Sequence, residues 1–206
     1  MGSIVGAQQG TNVTPINVYT GQRDALLQIT QNNLSLVPAV TAQLLTGGGG
    51  FQVVSANAES AGILSLNYNG FDTMSGTSFN NPNGGFTDGL LNSEDRFRIT
   101  YRSADLAVSG TITVGTSNGP AVKTANFILA AQNTPGSYSV DVVNSAFSGG
   151  GLSFADLSSV QFVRVDFVSA AGGDFVLTEI AAVPEPATLA VLGLGALALR
   201  RRRKSA

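Results

Sequence analysis

The chain has 206 residues, of which 43% are hydrophobic, 7% aromatic and 12% charged, with 25 glycines and no cysteine, histidine or tryptophan. Lacking His and Cys, it cannot be a Ser-His-Asp hydrolase, a zincin or a cysteine hydrolase, and it holds no thiolate metal site or disulfide. The formal net charge of −2 hides a split: residues 1–182 carry six basic against twelve acidic groups, a balance that excludes nucleic acid as a partner of that part.

At the N-terminal end, residues 1–9 offer neither the basic n-region nor the apolar h-region of an export signal, although Val5-Gly6-Ala7 is similar to the small-residue end of one. For an exported body the expectation is a start upstream of Met1; the alternative is a native start with a disordered leader. Only two stretches could be helical: residues 24–29, which also fit a turn or a strand, and residues 39–45, similarly ambiguous, with Pro38 suited to the first position of a short helix. Strands are expected at 51–54 and 63–68.

Residues 67–98 form the densest polar region. Calcium takes six to eight oxygen ligands, and Asp72, Asp88, Glu94 and Asp95 could supply carboxylates for such a site, although their spacing is not that of an EF-hand. The alternative is a solvated loop rich in turn formers. No other cofactor is expected.

From Arg96 onward the pattern is plainer. Phe97, Ile99 and Tyr101 alternate with Arg96, Arg98, Thr100 and Arg102, the period of two of a sheet with one wet face. After the turn Ser103-Ala104-Asp105, a second strand carries Leu106, Val108, Ile112 and Val114, and further strands are expected at 122–130, 138–143, 160–168 and 175–180. Short strands with Gly/Asn/Ser connectors predict an all-β fold, an antiparallel β-sandwich or jelly-roll-like body over residues 1–181. A carboxylate pair for glycoside hydrolysis would have to be Glu94/Asp95, adjacent and so on opposite faces, or Asp166/Glu179, cross-strand neighbours of a final hairpin with Arg164 beside them. A surface charge pair is the favoured account of the second, and the body is expected to be no enzyme.

The remaining residues, 182–206, read as a separate segment. Two prolines flank Glu185, which predicts an extended break after Val183 that continues neither strand nor helix. A stretch without charge follows, carrying Ala187, Leu189, Val191, Leu192, Leu194, Leu197 and Leu199, and it ends on Arg200, Arg201, Arg202, Arg203 and Lys204. Its thirteen residues predict a short transmembrane helix of about 20 Å, below the usual span of about 30 Å, with the basic cluster on the cytoplasmic side. A buried core helix is the alternative, disfavoured by five cations directly behind it.

Pro184, Glu185 and Pro186, an apolar helix and an Arg-rich end, in that order, resemble the PEP-CTERM sorting signal of Gram-negative bacteria. The resemblance implies recognition of Pro184, Glu185 and Pro186 by an exosortase-type membrane enzyme, a membrane-lipid contact for the apolar stretch, and a stop-transfer role for Arg200 to Lys204. It also implies transient residence in the inner membrane, with the C-terminus cytoplasmic before processing, and then delivery to the cell envelope or the extracellular matrix of a biofilm. Asp156, Leu157, Val160, Asp174, Phe175 and Leu177 follow the form Asp-Leu-x-x-Val…Asp-Phe-x-Leu, which loosely resembles the last hairpin of many proteins with this tail. The expectation for function is therefore a non-enzymatic exported surface or matrix protein. The alternative is a carbohydrate-binding module for extracellular polysaccharide, for which Tyr19, Tyr68, Tyr101 and Tyr138 are a thin supply of aromatic platforms.

Overall fold

The computed structural model describes residues 24–32, 40–44, 51–55, 60–68, 74–75, 78–79, 91, 94–117 and 122–184. Its strands are β1 (Asp24–Asn32), β2 (Val40–Leu44), β3 (Phe51–Ser55), β4 (Ser60–Tyr68), β5 (Met74–Ser75), β6 (Ser78–Phe79), β7 (Glu94–Ala104), β8 (Val108–Thr116), β9 (Val122–Leu129), β10 (Tyr138–Val143), β11 (Val160–Val168) and β12 (Phe175–Pro184). One four-residue helix, α1 (Phe154–Leu157), and a 3₁₀ turn at Asn144–Ala146 lie between β10 and β11.

Two five-stranded sheets, ordered β1-β4-β11-β8-β9 and β10-β7-β12-β3-β2, enclose one apolar core, and β5 and β6 form a small separate hairpin. Every pairing is antiparallel. The all-β sandwich expected from the alternation is thus present. β9 shows why: Lys123, Ala125, Phe127 and Leu129 turn inward while Val122, Thr124, Asn126 and Ile128 stay exposed. Phe167 of β11 and Phe175 of β12 meet across the core from opposite sheets, ring centroids 5.8 Å apart, and Phe127 meets Phe167 edge-on at 5.6 Å. Gly110 pairs with both Phe127 and Phe167, and a Cβ there would collide with the Phe127 ring, so the glycine makes the space in which the rings pack.

Several local expectations are settled or corrected. Both ambiguous N-terminal stretches are strands, since each has a partner to pair with: β1 lies on β4, and β2 on β3. β11 and β12 do not form a hairpin; they belong to different sheets, and the connection through residues 169–174 crosses the core. Ser169 anchors this crossing, its hydroxyl donating to the Gly62 carbonyl at 3.1 Å and accepting the Gly62 N–H at 3.0 Å, and Gly172 turns at φ +77°. β12 also runs further than expected: Val183 stands opposite Arg96 and, after a bulge, Pro184 opposite Glu94. Beyond Leu177, β12 has β7 as its only described neighbour, and a residue without an N–H is tolerated at the end of such an edge run.

The apolar stretch from Ala187 to Leu199 and the basic cluster behind it lie outside the described residues. Among the described residues no helix is long and apolar enough to cross a membrane.

Candidate functional site

A cleft of about 500 Å³ opens at the end of the sandwich where β7 turns into β8 and β11 crosses into β12. Its polar lining comes from Gln52 of β3, Ser103 near the end of β7, Asp105 of the β7–β8 turn, Gln132 and Asn133 of the β9–β10 connection, and Asp174 before β12. Pro135 and Val176 add apolar faces. The volume falls within the range of about 300–1,000 Å³ of small-molecule sites.

Backbone bonds hold these loops together. Ala104 donates to the Gln132 carbonyl at 3.2 Å and accepts the Gln132 N–H at 2.5 Å, and Gly136 donates to the Arg102 carbonyl at 2.9 Å. Asp105 Oδ1 accepts the N–H groups of Leu106, at 3.0 Å, and Asp174, at 2.5 Å, while the Asp105 N–H donates to the Asp174 carbonyl at 3.1 Å. Asp174 Oδ1 accepts the Ser55 N–H at 2.6 Å. Each aspartate thus ties two loops together through one carboxylate oxygen. Burial pushes the Asp174 carboxyl above its ordinary 3.8, the Asp105 charge adds to this, and the Ser55 N–H offsets it in part. Two acceptor carboxylates stand beside amide and hydroxyl groups, and no Lys or Arg is found among the described lining residues. Such a lining can exchange hydrogen bonds with a polar ligand.

A second polar cluster, at the start of β9, is structural. Lys123 Nζ donates to the Gly151 carbonyl at 2.6 Å and to Asp156 Oδ2 at 2.8 Å, and both residues are buried, at 7% and 6% exposure. Ser153 caps α1 through a reciprocal box with Asp156, donating to Asp156 Oδ2 from its N–H at 2.8 Å and its hydroxyl at 2.6 Å. Burial acts to raise the Asp156 pKa, but the bonds from Lys123 and Ser153 outweigh it and hold the carboxyl below its ordinary range.

The sequence-derived candidates are scattered. Asp72 and Asp88 lie outside the described residues. Glu94 opens β7 opposite Pro184, and Asp95 is held by Arg96 at 2.6 Å, which keeps its carboxyl below the ordinary range. Among the described residues no group of three or more His, Cys, Asp and Glu could hold a metal ion. Asp166 and Glu179 are not cross-strand neighbours: Asp166 is on β11 and ion-pairs with Arg164 at 3.0 Å, whereas Glu179 is on β12 in the other sheet, within electrostatic reach of Arg98. Separated between the two sheets, they are no hydrolytic pair of a hairpin.

Of the cleft residues, the sequence marks Ser103 and Asp105 only as turn formers, of which Ser103 proves to belong to β7, and Asp174 only within the hairpin likeness. Gln52, Gln132 and Asn133 carry no motif, because the cleft draws on four separate stretches of chain.

No curated protein matches the chain. Among solved structures, it is similar to the family 11 carbohydrate-binding module of the cellulosomal cellulase Lic26A-Cel5E of Clostridium thermocellum, with a TM-score of 0.49 and 13% identity over 89% of this chain and 97% of that one. It is also similar to the enzymatically active domain of tailspike protein 4 of bacteriophage CBA120, with a TM-score of 0.42 and 12% identity over 88% of this chain and 22% of that one. Residues 182–204 match the family model of the PEP-CTERM protein-sorting motif. The chain therefore carries a PEP-CTERM sorting signal, whose first residues, 182–184, are the last paired residues of β12, and this signal supports an exported protein.

Proposed function

We propose that the chain is a non-enzymatic surface or extracellular-matrix protein of a Gram-negative bacterium, with a β-sandwich body over residues 1–181 and a sorting segment over 182–206. The observation that carries this reading is the sorting-motif match at residues 182–204. Pro184, Glu185 and Pro186 present the signal to an exosortase-type membrane enzyme, the apolar residues Ala187 to Leu199 hold it in lipid, and Arg200 to Lys204 stop transfer with the C-terminus in the cytoplasm. The cleaving chemistry belongs to the partner enzyme. After processing, the body is delivered to the envelope or matrix.

The test is fractionation of a host that holds the processing enzyme. Expressed behind an export signal, the parent chain is expected, processed at its tail, in envelope or medium fractions, while a variant lacking residues 185–206 is distributed differently and melts within about 2 °C of the parent, as expected when no packed element is lost. Identical distribution of the two chains, or intact full-length chain free in the cytosol, would overturn the proposal.

The cleft favours a second reading, a body that binds extracellular polysaccharide. Sugars offer many hydroxyl groups, each both donor and acceptor, and the carboxylates, amides and hydroxyl of the cleft complement them.

A further inference from the structure

We infer that the cleft is selective by charge: it takes uncharged, hydroxyl-rich glycans and rejects polyuronates and other acidic polymers. This rests on the polysaccharide-binding reading above and names the ligand class for that site.

Three observations converge. First, among the described lining residues the two ionisable groups, Asp105 and Asp174, are both acidic, and no Lys or Arg stands with them. An arginine fork is the usual means of gripping a sugar carboxylate or sulfate, and the described lining residues hold none.

Second, Asp105 and Asp174 each commit Oδ1 to backbone N–H groups, and no described residue hydrogen-bonds the second oxygen of either. Those oxygens are open to solvent and accept hydrogen bonds from whatever donor replaces water there. Neighbouring sugar hydroxyls supply donors, whereas a uronate would bring another acceptor-only group.

Third, Gln52, Gln132 and Asn133 present neutral amides, which donate and accept and so suit hydroxyls without demanding charge. Pro135 and Val176 offer apolar surface to the C–H face of a sugar ring. A like charge held about 6 Å from either carboxylate weakens binding about tenfold, even after screening at physiological salt.

The experiment is affinity electrophoresis and calorimetry of the full chain with dextran, galactomannan and mixed β-glucan as neutral probes, and alginate and polygalacturonate as acidic ones. Saturable binding to at least one neutral probe is expected, with both acidic probes at least about tenfold weaker. Asn133→Ala and Gln132→Ala together are expected to weaken the neutral complex about tenfold with the melting temperature retained, since Asn133 is exposed and Gln132 bonds through its backbone. Asp105→Asn with Asp174→Asn should narrow the gap between acidic and neutral probes, and the two single variants stand in for the pair if it does not fold.

Acidic probes bound as tightly as neutral ones, or neutral binding untouched by the Asn133 and Gln132 changes, would overturn the charge-selection proposal. Failure of every probe to bind would instead overturn the polysaccharide reading on which it rests.

Discussion

Asp174 ionises against its surroundings. Burial and the Asp105 charge both oppose the carboxylate, and its pKa lies above the ordinary 3.8 in the folded chain. For an acid with a raised folded pKa, the unfolded state holds fewer protons across the window between the two values. Stability contributed at this residue therefore falls as pH rises through that window, and the penalty is complete at neutral pH. Asp174→Asn, which keeps an oxygen for the Ser55 N–H, should melt higher than the parent at pH 7. The difference should vanish below about pH 3, where both states of the parent are protonated. An unchanged or lowered melting temperature at pH 7 would contradict the assignment. Under the charge-selection proposal the same substitution also alters sugar selection, and a residue that serves binding at some cost in stability would show this pattern. None of this is legible in the sequence. Aspartates at 105 and 174 look like ordinary turn formers, and only the crossing of β11 into β12 brings them within one hydrogen bond of each other.

Among the elements, alternation is the part that the sequence reveals. Phe97, Ile99 and Tyr101 on β7, and Val163, Val165 and Phe167 on β11, face inward as their spacing predicts. Which strand pairs with which is not legible, because a period of two marks a buried face without naming the sheet that owns it. β11 and β12 illustrate this: the same inward Phe167 and Phe175 would suit a hairpin or a crossing, and Ser169 bonded to Gly62 accompanies the crossing. α1 escapes hydrophobic periodicity because it has only four residues, although its box from Ser153 to Asp156 is a local signal that capping rules could have found. Its attachment to β9 rests on Lys123. Lys123→Met leaves Asp156 buried without its cation and is expected to cost about 3–5 kcal/mol in denaturant unfolding. Adding Asp156→Asn should recover more than half of that loss, since the uncompensated charge is gone while the cap to Ser153 can persist. A single-variant cost under about 1 kcal/mol would show that the pair does not fasten the helix.

The sandwich as a whole carries its ion pairs in two different settings, and acid distinguishes them. On the outer side of the β10-β7-β12 sheet, Arg98 grips Asp141 with two bonds of 2.7 and 2.8 Å, and Arg96 bridges Asp95 and Asp141. These side chains are 21–40% exposed, so solvent screens each pair and it contributes little to stability. Lys123–Asp156 lies inside, where salt screens little. Asp141, held mainly by Arg98, Asp95, held by Arg96, and Asp156 all have pKa values below the ordinary 3.8. For groups depressed in the fold, the stabilisation is complete above the unfolded value and is lost as pH falls through the folded one. The melting temperature should therefore hold from neutral pH down to about 4, with a small gain as Asp174 takes up its proton, and fall steeply below that. Repeating the titration in 1 M salt separates the settings, because the Debye length is then about 3 Å. The loss caused by Asp141→Asn should nearly disappear in salt, while that caused by Asp156→Asn should persist. If both losses were screened alike, the two pairs would share one exposed environment, and the buried cluster that joins α1 to the sandwich would not exist as described.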